Sequence, residues 1–310
     1  MSEPSPSDIL WNYLAFVVGG VSGILLFLLV GAWYGPQTLG VFNKVFAMYM
    51  VLSQVAAFGV HLSLLKHLAE APPLPSAQSA VLRGGLCALV PSALSVPLLL
   101  ALAATPVGLL LRSQETGTGL LFVAAGLTFF ALNKVLLAAQ NALSRFRLYA
   151  VGNCLRYVFL LLALLGHFLL GFAPHSLPVI FPLAEGVLSL VLIKDLLPLL
   201  MTSPHARGAS ESPHNSVRSW AREHFQFGFR AVGGNIMLDL NTRVDVLCLA
   251  AFTDDATLGI YSMAAILAEA AYQLPLVLQV VYTPKVVHML QHKQKEELRD
   301  FIRNVRRPVW

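Results

Sequence analysis

The sequence predicts an all-α polytopic membrane protein with about eight transmembrane helices. Of its 310 residues, 56% are hydrophobic and 12% are charged, whereas about a quarter of a typical soluble domain is charged. Runs of about twenty apolar residues recur along the whole chain, and a helix of that length crosses the hydrocarbon core of a bilayer. These runs are continuous, while the strands of a transmembrane β-barrel alternate over about ten residues, so a barrel is excluded.

Hydropathy and charge together predict the spans and their orientation. No Lys or Arg precedes Lys44, so the N-terminus lacks the basic region of a signal peptide, and we expect the first helix to be retained. Basic residues concentrate in alternate connections, which predicts a cytoplasmic N-terminus in the cell (inner or plasma) membrane. The predicted spans are 10–33, 41–64, 82–104, 118–141, 150–172, 178–201, 225–252 and 257–283.

An internal repeat organises these spans into two halves. The segment TLGVF at 38–42 returns as TLGIY at 257–261, and at the same separation Gln54 matches Gln273; VVGG at 17–20 also resembles AVGG at 231–234. Six-helix halves related by an axis along the membrane normal are typical of transporters. A second half would need four more spans, so we expect the chain to be a fragment of a protein with about twelve.

The domain organisation follows from the repeat. We predict an N-terminal six-helix lobe over 1–201, a cytoplasmic linker over 202–222, the first two helices of a second lobe over 223–286, and a basic amphipathic cytoplasmic segment over 287–310. A solvated helix joining two spans is an equal alternative for that last segment.

Charged residues inside the seventh span indicate that it lines a wet cavity. Arg230, Asp239, Arg243 and Asp245 all fall within 225–252, and charges in a bilayer are costly unless they are paired or face water. On one continuous helix, Asn235, Asp239, Thr242 and Arg243 would share a face, with Asp239 and Arg243 at i,i+4, and Asn241 and Asp245 would form a second such pair. A structural ion pair between neighbouring helices is the alternative.

Further ionisable residues lie in other spans. Lys134 either faces the cavity or extends to the cytoplasmic interface, and Glu185 follows Pro182 in the sixth span. Glu269, with Gln273 one turn later and Pro275 beyond, lies near the middle of the eighth span. Carboxylates beside helix-breaking prolines are typical of coupling-ion sites, although a structural hydrogen bond would also explain each. The sequence assigns lesser roles to Arg156 and Arg230, as topology determinants, and to Lys44, as an interfacial lysine.

Two stretches of the chain resemble a known family. NTRVDVLCLAAFTDDATLGIYSMAAILAEAAYQLP at 241–275 resembles the seventh and eighth helices of polysaccharide biosynthesis proteins, the Wzx-type oligosaccharide flippases of the multidrug/oligosaccharidyl-lipid/polysaccharide exporter superfamily. WNYLAFVVGG and TLGVFNKVFAMYMVLSQVAAFGV resemble the first two helices of that family.

The resemblance implies two lobes around a cavity that opens alternately to either side. Its cargo would be an undecaprenyl-diphosphate-linked oligosaccharide moved to the outer leaflet, and its partners would be membrane lipids, polysaccharide polymerases and glycosyltransferases. Arg243, with Asp239 beside it, and Lys134 are then candidate diphosphate contacts, together with Asn235 and Asp245 in the cavity. Glu269, Gln273 and Glu185 are candidates for ion coupling.

Several chemistries are not expected from this sequence. It contains no phosphate-binding G-x-x-x-x-G-K-[ST] loop and no H-E-x-x-H, C-x-x-C or G-x-S-x-G motif, so we predict a non-enzyme without cofactor, metal or nucleic-acid partner. Transport would then depend on an ion gradient. The alternatives are a drug/cation antiporter or lipid II flippase of the same superfamily, a membrane-embedded polymerase or ligase, and a membrane scaffold. A polymerase or ligase would need a long outer loop, and the predicted outer loops are short, with His175 as their only histidine.

Overall fold

The computed structural model describes residues 6–203, 216–268 and 271. Glu269, Gln273, most of the predicted eighth span, the segment 287–310 and residues 204–215 of the predicted linker lie outside the described residues. The chain divides into two compact units, Met1–Met263 and Ala264–Trp310. The described helices lie in the first unit, and only the last of them continues past Met263.

The described residues form helices and turns, without a strand among them. This confirms the predicted all-α polytopic class. The helices are α1 (Pro6–Ala57), α2 (Val60–Glu70), α3 (Pro75–Leu110), α4 (Gln114–Ala142), α5 (Phe146–Leu169), α6 (Ile180–Met201), α7 (Val217–Asn241), α8 (Val244–Phe252) and α9 (Asp255–Ala268), with a 3₁₀ turn at Pro174–Val179 before α6.

Five of the described helical segments are long and apolar enough to cross a membrane. The first of them, Leu10–Ala57, has 48 residues and contains the first predicted span, 10–33, and residues 41–57 of the second, whose residues 60–64 lie in α2. Gly35 interrupts its helical backbone with φ 83° immediately before Pro36. Each half then has the roughly twenty residues that one crossing requires. The other four segments match predicted spans three to six.

The interior and the exterior of this bundle are both apolar. Leu64, Leu82, Leu136 and Leu188 are fully buried in one cluster at its centre, while Leu102, Leu162 and Leu190 are more than half exposed. In a water-soluble domain such an exterior would be costly, whereas lipid is as apolar as leucine. The exposed leucines therefore fit a surface that faces acyl chains.

The predicted seventh span, 225–252, is not one helix. The α7 helix ends at Asn241, and α8 starts after Arg243, whose backbone has φ −130° and ψ 0°. Thr242 donates its hydroxyl to the Asp239 carbonyl oxygen over 2.8 Å, and such side-chain to backbone bonds compete with helical ones. The expectation that Asp239 and Arg243 lie one turn apart on a helix face is therefore wrong, and so is the expectation for Asn241 and Asp245.

The N-terminal part of α7 packs closely against α2 and α3. It begins at Val217, so the last six residues of the predicted linker are helical. A Cβ atom added to Gly228 would lie 2.2 Å from the Phe58 carbonyl oxygen, and one on Gly84 would lie 2.4 Å from the Trp220 Cβ. Glycine at both positions lets these helices approach almost to backbone contact.

Candidate functional site

Two cations contact one aromatic ring inside the helical bundle. The Lys134 ammonium lies 4.9 Å and the Arg156 guanidinium 4.4 Å from the centroid of the Phe130 ring. Lys134 lies eight residues before the end of α4 and Arg156 ten residues after the start of α5, depths of about 12 and 15 Å. Both charges thus lie at least two helical turns inside their helices and not at the helix ends.

Arg156 forms a buried ion pair with Glu185. The Arg156 Nε lies 2.7 Å from one Glu185 oxygen, and the exposed fractions of the two side chains are 14% and 2%. Asn133 Nδ2 donates to the other Glu185 oxygen over 2.7 Å, and Ser189 donates its hydroxyl to Asn133 Oδ1 over 2.9 Å. The interpretation of Arg156 as a topology determinant at the membrane surface is therefore wrong, because the side chain turns inward to this carboxylate.

Lys134 reaches two other helices. Its ammonium donates to Ser53 Oγ in α1 over 3.3 Å and lies close enough to Asp239 in α7 to interact with its charge. Gln54, the neighbour of Ser53, donates to Asp239 Oδ2 over 2.5 Å. The side chain of Lys134 is thus directed into the bundle, where it makes these contacts.

We call Phe130, Lys134, Arg156, Glu185 and Asp239 the inner polar cluster. It draws on α4, α5, α6 and α7 and contains two cations and two carboxylates. Its formal charge is zero, so charge count alone leaves the choice between an anionic and a cationic cargo open. Tyr49 closes one side of it, since its ring lies 5.3 Å from that of Phe130.

The remaining candidates from the sequence lie in different surroundings. The Arg243 guanidinium lies 5.0 Å from the centroid of the Phe46 ring, and Asp245 accepts a 2.5 Å hydrogen bond from the Tyr261 hydroxyl. The Asn235 side-chain nitrogen is buried without a hydrogen-bond partner among the described residues. The structure therefore brings Lys134, Glu185 and Asp239 together and separates Arg243 and Asp245 from the helix face assigned to them.

Lys44 also differs from its predicted role. Its side chain is fully buried, and its ammonium lies 2.9 Å from Asp255 Oδ1. The expectation that it extends to the membrane interface is wrong, because a carboxylate 211 residues later in the chain holds it inside the protein.

Sequence reasoning missed three contributors to this site. Arg156 gave a usable signal, since it lies six residues inside the predicted span 150–172, where a charge needs a partner or water. Phe130 gave none, because an aromatic side chain within an apolar span is ordinary until its neighbours are known. Gln54 gave a weak one, since it is the repeat equivalent of the candidate Gln273.

No metal centre is recognised in the part of the chain that the structure describes. Within residues 6–203 and 216–268, His, Cys, Asp and Glu form no group of three or more that could hold an ion. Cys87, Cys154 and Cys248 are free thiols.

Comparison with known protein families identifies one family model that matches most of the chain. A family model described as "Polysaccharide biosynthesis protein" matches residues 86–309, more than two thirds of the sequence. The chain belongs to the polysaccharide biosynthesis protein family. The match includes α4 to α9, and with them the whole inner polar cluster. Comparisons with curated proteins and with solved structures gave no match. This family member is a multi-pass membrane protein, and its family fits a membrane transporter role in general.

Proposed function

We propose that the protein is a flippase that moves an undecaprenyl-diphosphate-linked oligosaccharide across the cell membrane during polysaccharide biosynthesis. Membership of the polysaccharide biosynthesis family and the resemblance to Wzx-type flippases support the general role. The observation that carries the proposal is the position of Lys134 and Arg156 on one ring, at least two helical turns inside the bundle.

The chemistry of the cargo matches this pair of cations. A lipid diphosphate carries negative charge that must be compensated wherever it leaves water, and ammonium and guanidinium groups form the strongest hydrogen bonds to phosphate oxygens. Lys134 is the first contact in our proposal, since its hydrogen bond to the neutral Ser53 is long at 3.3 Å, and the carboxylate near it, Asp239, already accepts a hydrogen bond from Gln54. The glycan would occupy the hydrated cavity and the prenyl chain would stay in lipid.

Glu185 has a defined place in this scheme. It neutralises Arg156 while no cargo is bound, so an arriving diphosphate competes with it for the guanidinium. We propose that this competition couples cargo binding to an ion gradient, with Glu269 and Gln273 as further coupling candidates. We also propose a cytoplasmic N-terminus in the inner membrane, and polymerases and glycosyltransferases as partners.

The test is flipping of a fluorescent undecaprenyl-diphosphate oligosaccharide in proteoliposomes. Lys134→Gln removes one charge-assisted contact, so we expect flipping to fall about tenfold to a hundredfold. Lys194→Gln removes an exposed lysine from α6 and is the matched control. Equal flipping by both variants, each reconstituted in the same amount, would refute the role of Lys134.

The second candidate function is cation antiport. Asp239 and Glu185 with the rings of Phe130 and Tyr49 offer the acidic and aromatic contacts that organic cations bind. Efflux of a cationic dye by the same proteoliposomes, lost in Asp239→Asn and retained in Lys134→Gln, would favour antiport over flipping.

A further inference from the structure

The two copies of the repeated TLG segment contact each other. A Cβ atom added to Gly40 in α1 would lie 1.8 Å from the Asp255 carbonyl oxygen, and one added to Gly259 in α9 would lie 1.8 Å from the Pro36 carbonyl oxygen. Only glycine permits backbones to approach so closely. We call Pro36, Gly40, Asp255 and Gly259 the glycine junction.

The glycine junction is self-complementary in sequence. Asn43 donates to Ser262 Oγ over 2.6 Å, and these two residues are 219 positions apart, the same separation as Gly40 from Gly259 and Pro36 from Asp255. Gly40 thus meets Asp255, the equivalent of Pro36, and Gly259 in turn meets Pro36 itself. That reciprocity defines an isologous contact, here between the two copies of a repeat within one chain.

One residue breaks the symmetry of this contact. Lys44 has Met263 as its equivalent, and its buried ammonium lies 2.9 Å from Asp255 and donates to the Leu111 carbonyl oxygen over 2.9 Å. A buried ion pair adds little net stability, because desolvation offsets its Coulombic attraction. When such a pair separates into water, both charges recover their hydration, so the contact can open more readily than an apolar one.

An apolar cluster adjoins the glycine junction through Leu258, the neighbour of Gly259. Ala47, Leu111, Ala250 and Leu258 are buried together and come from α1, the end of α3, α8 and α9. They lie at the end of the bundle that the charge distribution predicts to be non-cytoplasmic, which we call the outer end. At this end the described parts of α1, α3, α8 and α9 are therefore packed together, and the Lys44–Asp255 pair adjoins the cluster through the Leu111 carbonyl oxygen.

We propose that the glycine junction and the Lys44–Asp255 ion pair form a latch, which holds the outer end closed and must separate before cargo is released. The proposal rests on the alternating-access function proposed above. It assigns a conformational role to a pair that lies apart from the inner polar cluster.

The experiment measures opening directly and does not depend on transport. Asn43→Cys, at a position that is 3% exposed, is placed in a background where Cys87, Cys154 and Cys248 are replaced by Ser. A membrane-impermeant maleimide is added to the outside of intact cells. We expect Asp255→Asn to raise the labelling rate about tenfold, because labelling follows the population of the open state. Glu115→Gln removes an exposed carboxylate at the same end and is expected to leave the rate unchanged.

A second variant separates opening from unfolding. Lys44→Met introduces the residue type of its equivalent, Met263, and removes the charge that Asp255→Asn leaves unpaired. The double variant Lys44→Met/Asp255→Asn is therefore expected to label slowly again. An unchanged rate in Asp255→Asn overturns the latch, and so does a raised rate that Lys44→Met fails to reverse. Absence of flipping with the expected labelling pattern would instead count against the proposed cargo.

A disulfide across the junction completes the test. Asn43→Cys/Ser262→Cys, oxidised in proteoliposomes, is expected to stop flipping of the fluorescent probe until a reductant is added. The control is Ala93→Cys/Thr128→Cys, which joins α3 and α4 where Thr128 donates to the Ala93 carbonyl oxygen over 2.9 Å. Full flipping by the oxidised Asn43→Cys/Ser262→Cys variant would show that the glycine junction stays closed during transport, and would overturn the latch.

Discussion

The Arg156 guanidinium lies between a carboxylate and an aromatic ring, and both contacts come from other helices. Glu185 satisfies its charge, Asn133 and Ser189 complete the hydrogen bonding, and Phe130 covers one face. Because Glu185 is 1% exposed, neither charge of the pair can be removed without leaving the other uncompensated in a medium of low polarity.

We therefore predict strong coupling between these two residues. Arg156→Met or Glu185→Leu alone is expected to lower the free energy of unfolding by about 3 kcal/mol, whereas the double variant should lose much less than the sum. Thermal unfolding of the four proteins in detergent gives the double-mutant cycle. Additive losses would mean that the pair is weaker than its 2.7 Å distance indicates.

A second prediction at this scale concerns His224, one residue before the predicted seventh span. Its ring is fully buried, with Nδ1 2.9 Å from Ser63 Oγ and Nε2 3.1 Å from the Val81 carbonyl oxygen. The carbonyl can only accept, so Nε2 carries the proton and Nδ1 accepts from the serine. Burial lowers the pKa of His224 to about 4, and the nearby His67 ring adds to this lowering, against the opposing effect of the Val81 hydrogen bond.

The sign of the pH effect follows from this lowered pKa. Between about pH 6.5 and 4 the unfolded chain binds a proton at His224 that the folded protein excludes, so stability falls as the pH falls. At about pH 5 the loss is on the order of 2 kcal/mol. His224→Gln keeps a neutral polar group and should show a smaller drop in melting temperature from about pH 7.5 to 5 than the wild type. Equal drops would assign the acid sensitivity to other groups, such as His67.

At the scale of elements, the first two spans owe their geometry to a few backbone positions. Gly35 breaks α1 with a positive φ, and Gly59, with φ 67°, separates α1 from α2. Gly40 is different, because its backbone is helical and the neighbouring helix leaves no space for a side chain. Glycine thus serves as a break at two positions and as a contact surface at the third.

This distinction predicts opposite outcomes for two Gly→Ala substitutions within helices. Gly40→Ala would place a methyl group against the Asp255 carbonyl, so it is expected to be destabilising by more than about 2 kcal/mol and to disrupt the α1–α9 contact. Gly166→Ala in α5 meets nothing within 4 Å and should raise stability by about 0.5–1 kcal/mol. Thermal unfolding in detergent measures both, and a tolerated Gly40→Ala would show that α1 and α9 can separate at little cost.

At the scale of the whole molecule, charge distribution predicts the orientation of every helix. Glu70, at the end of α2, belongs to a basic connection, while His175, in the 3₁₀ turn before α6, belongs to a connection without Lys or Arg. By the positive-inside rule the first is cytoplasmic and the second is outside.

Single cysteines at these two exposed positions test the orientation. In the background without native cysteines, His175→Cys is expected to react with an impermeant maleimide in intact cells, and Glu70→Cys only after the membrane is permeabilised. The reverse pattern would invert the topology and place the glycine junction at the cytoplasmic end.

The fold class was accessible from the sequence because membrane insertion depends on local composition. A run of twenty apolar residues satisfies its own backbone hydrogen bonds as a helix, whatever its neighbours are. The same reasoning failed at 225–252, where four charges and the Asn241–Thr242 pair weaken the apolar run and the helix breaks at Arg243. Hydropathy averages over a window and cannot detect such a break.

The sequence by itself determined the helical class, the approximate positions of the apolar helices between Leu10 and Met201, and the repeat that contains Gly40 and Gly259. Each of these depends on neighbouring residues or on a fixed separation along the chain. Only the tertiary structure decided that the repeated glycines touch, that Lys44 pairs with Asp255 and that Arg156 turns inward to Glu185. The physical reason is that a charge in a membrane is stabilised by whichever partner the packing brings within about 4 Å. That partner lies on another helix, at a distance along the chain that periodicity does not encode.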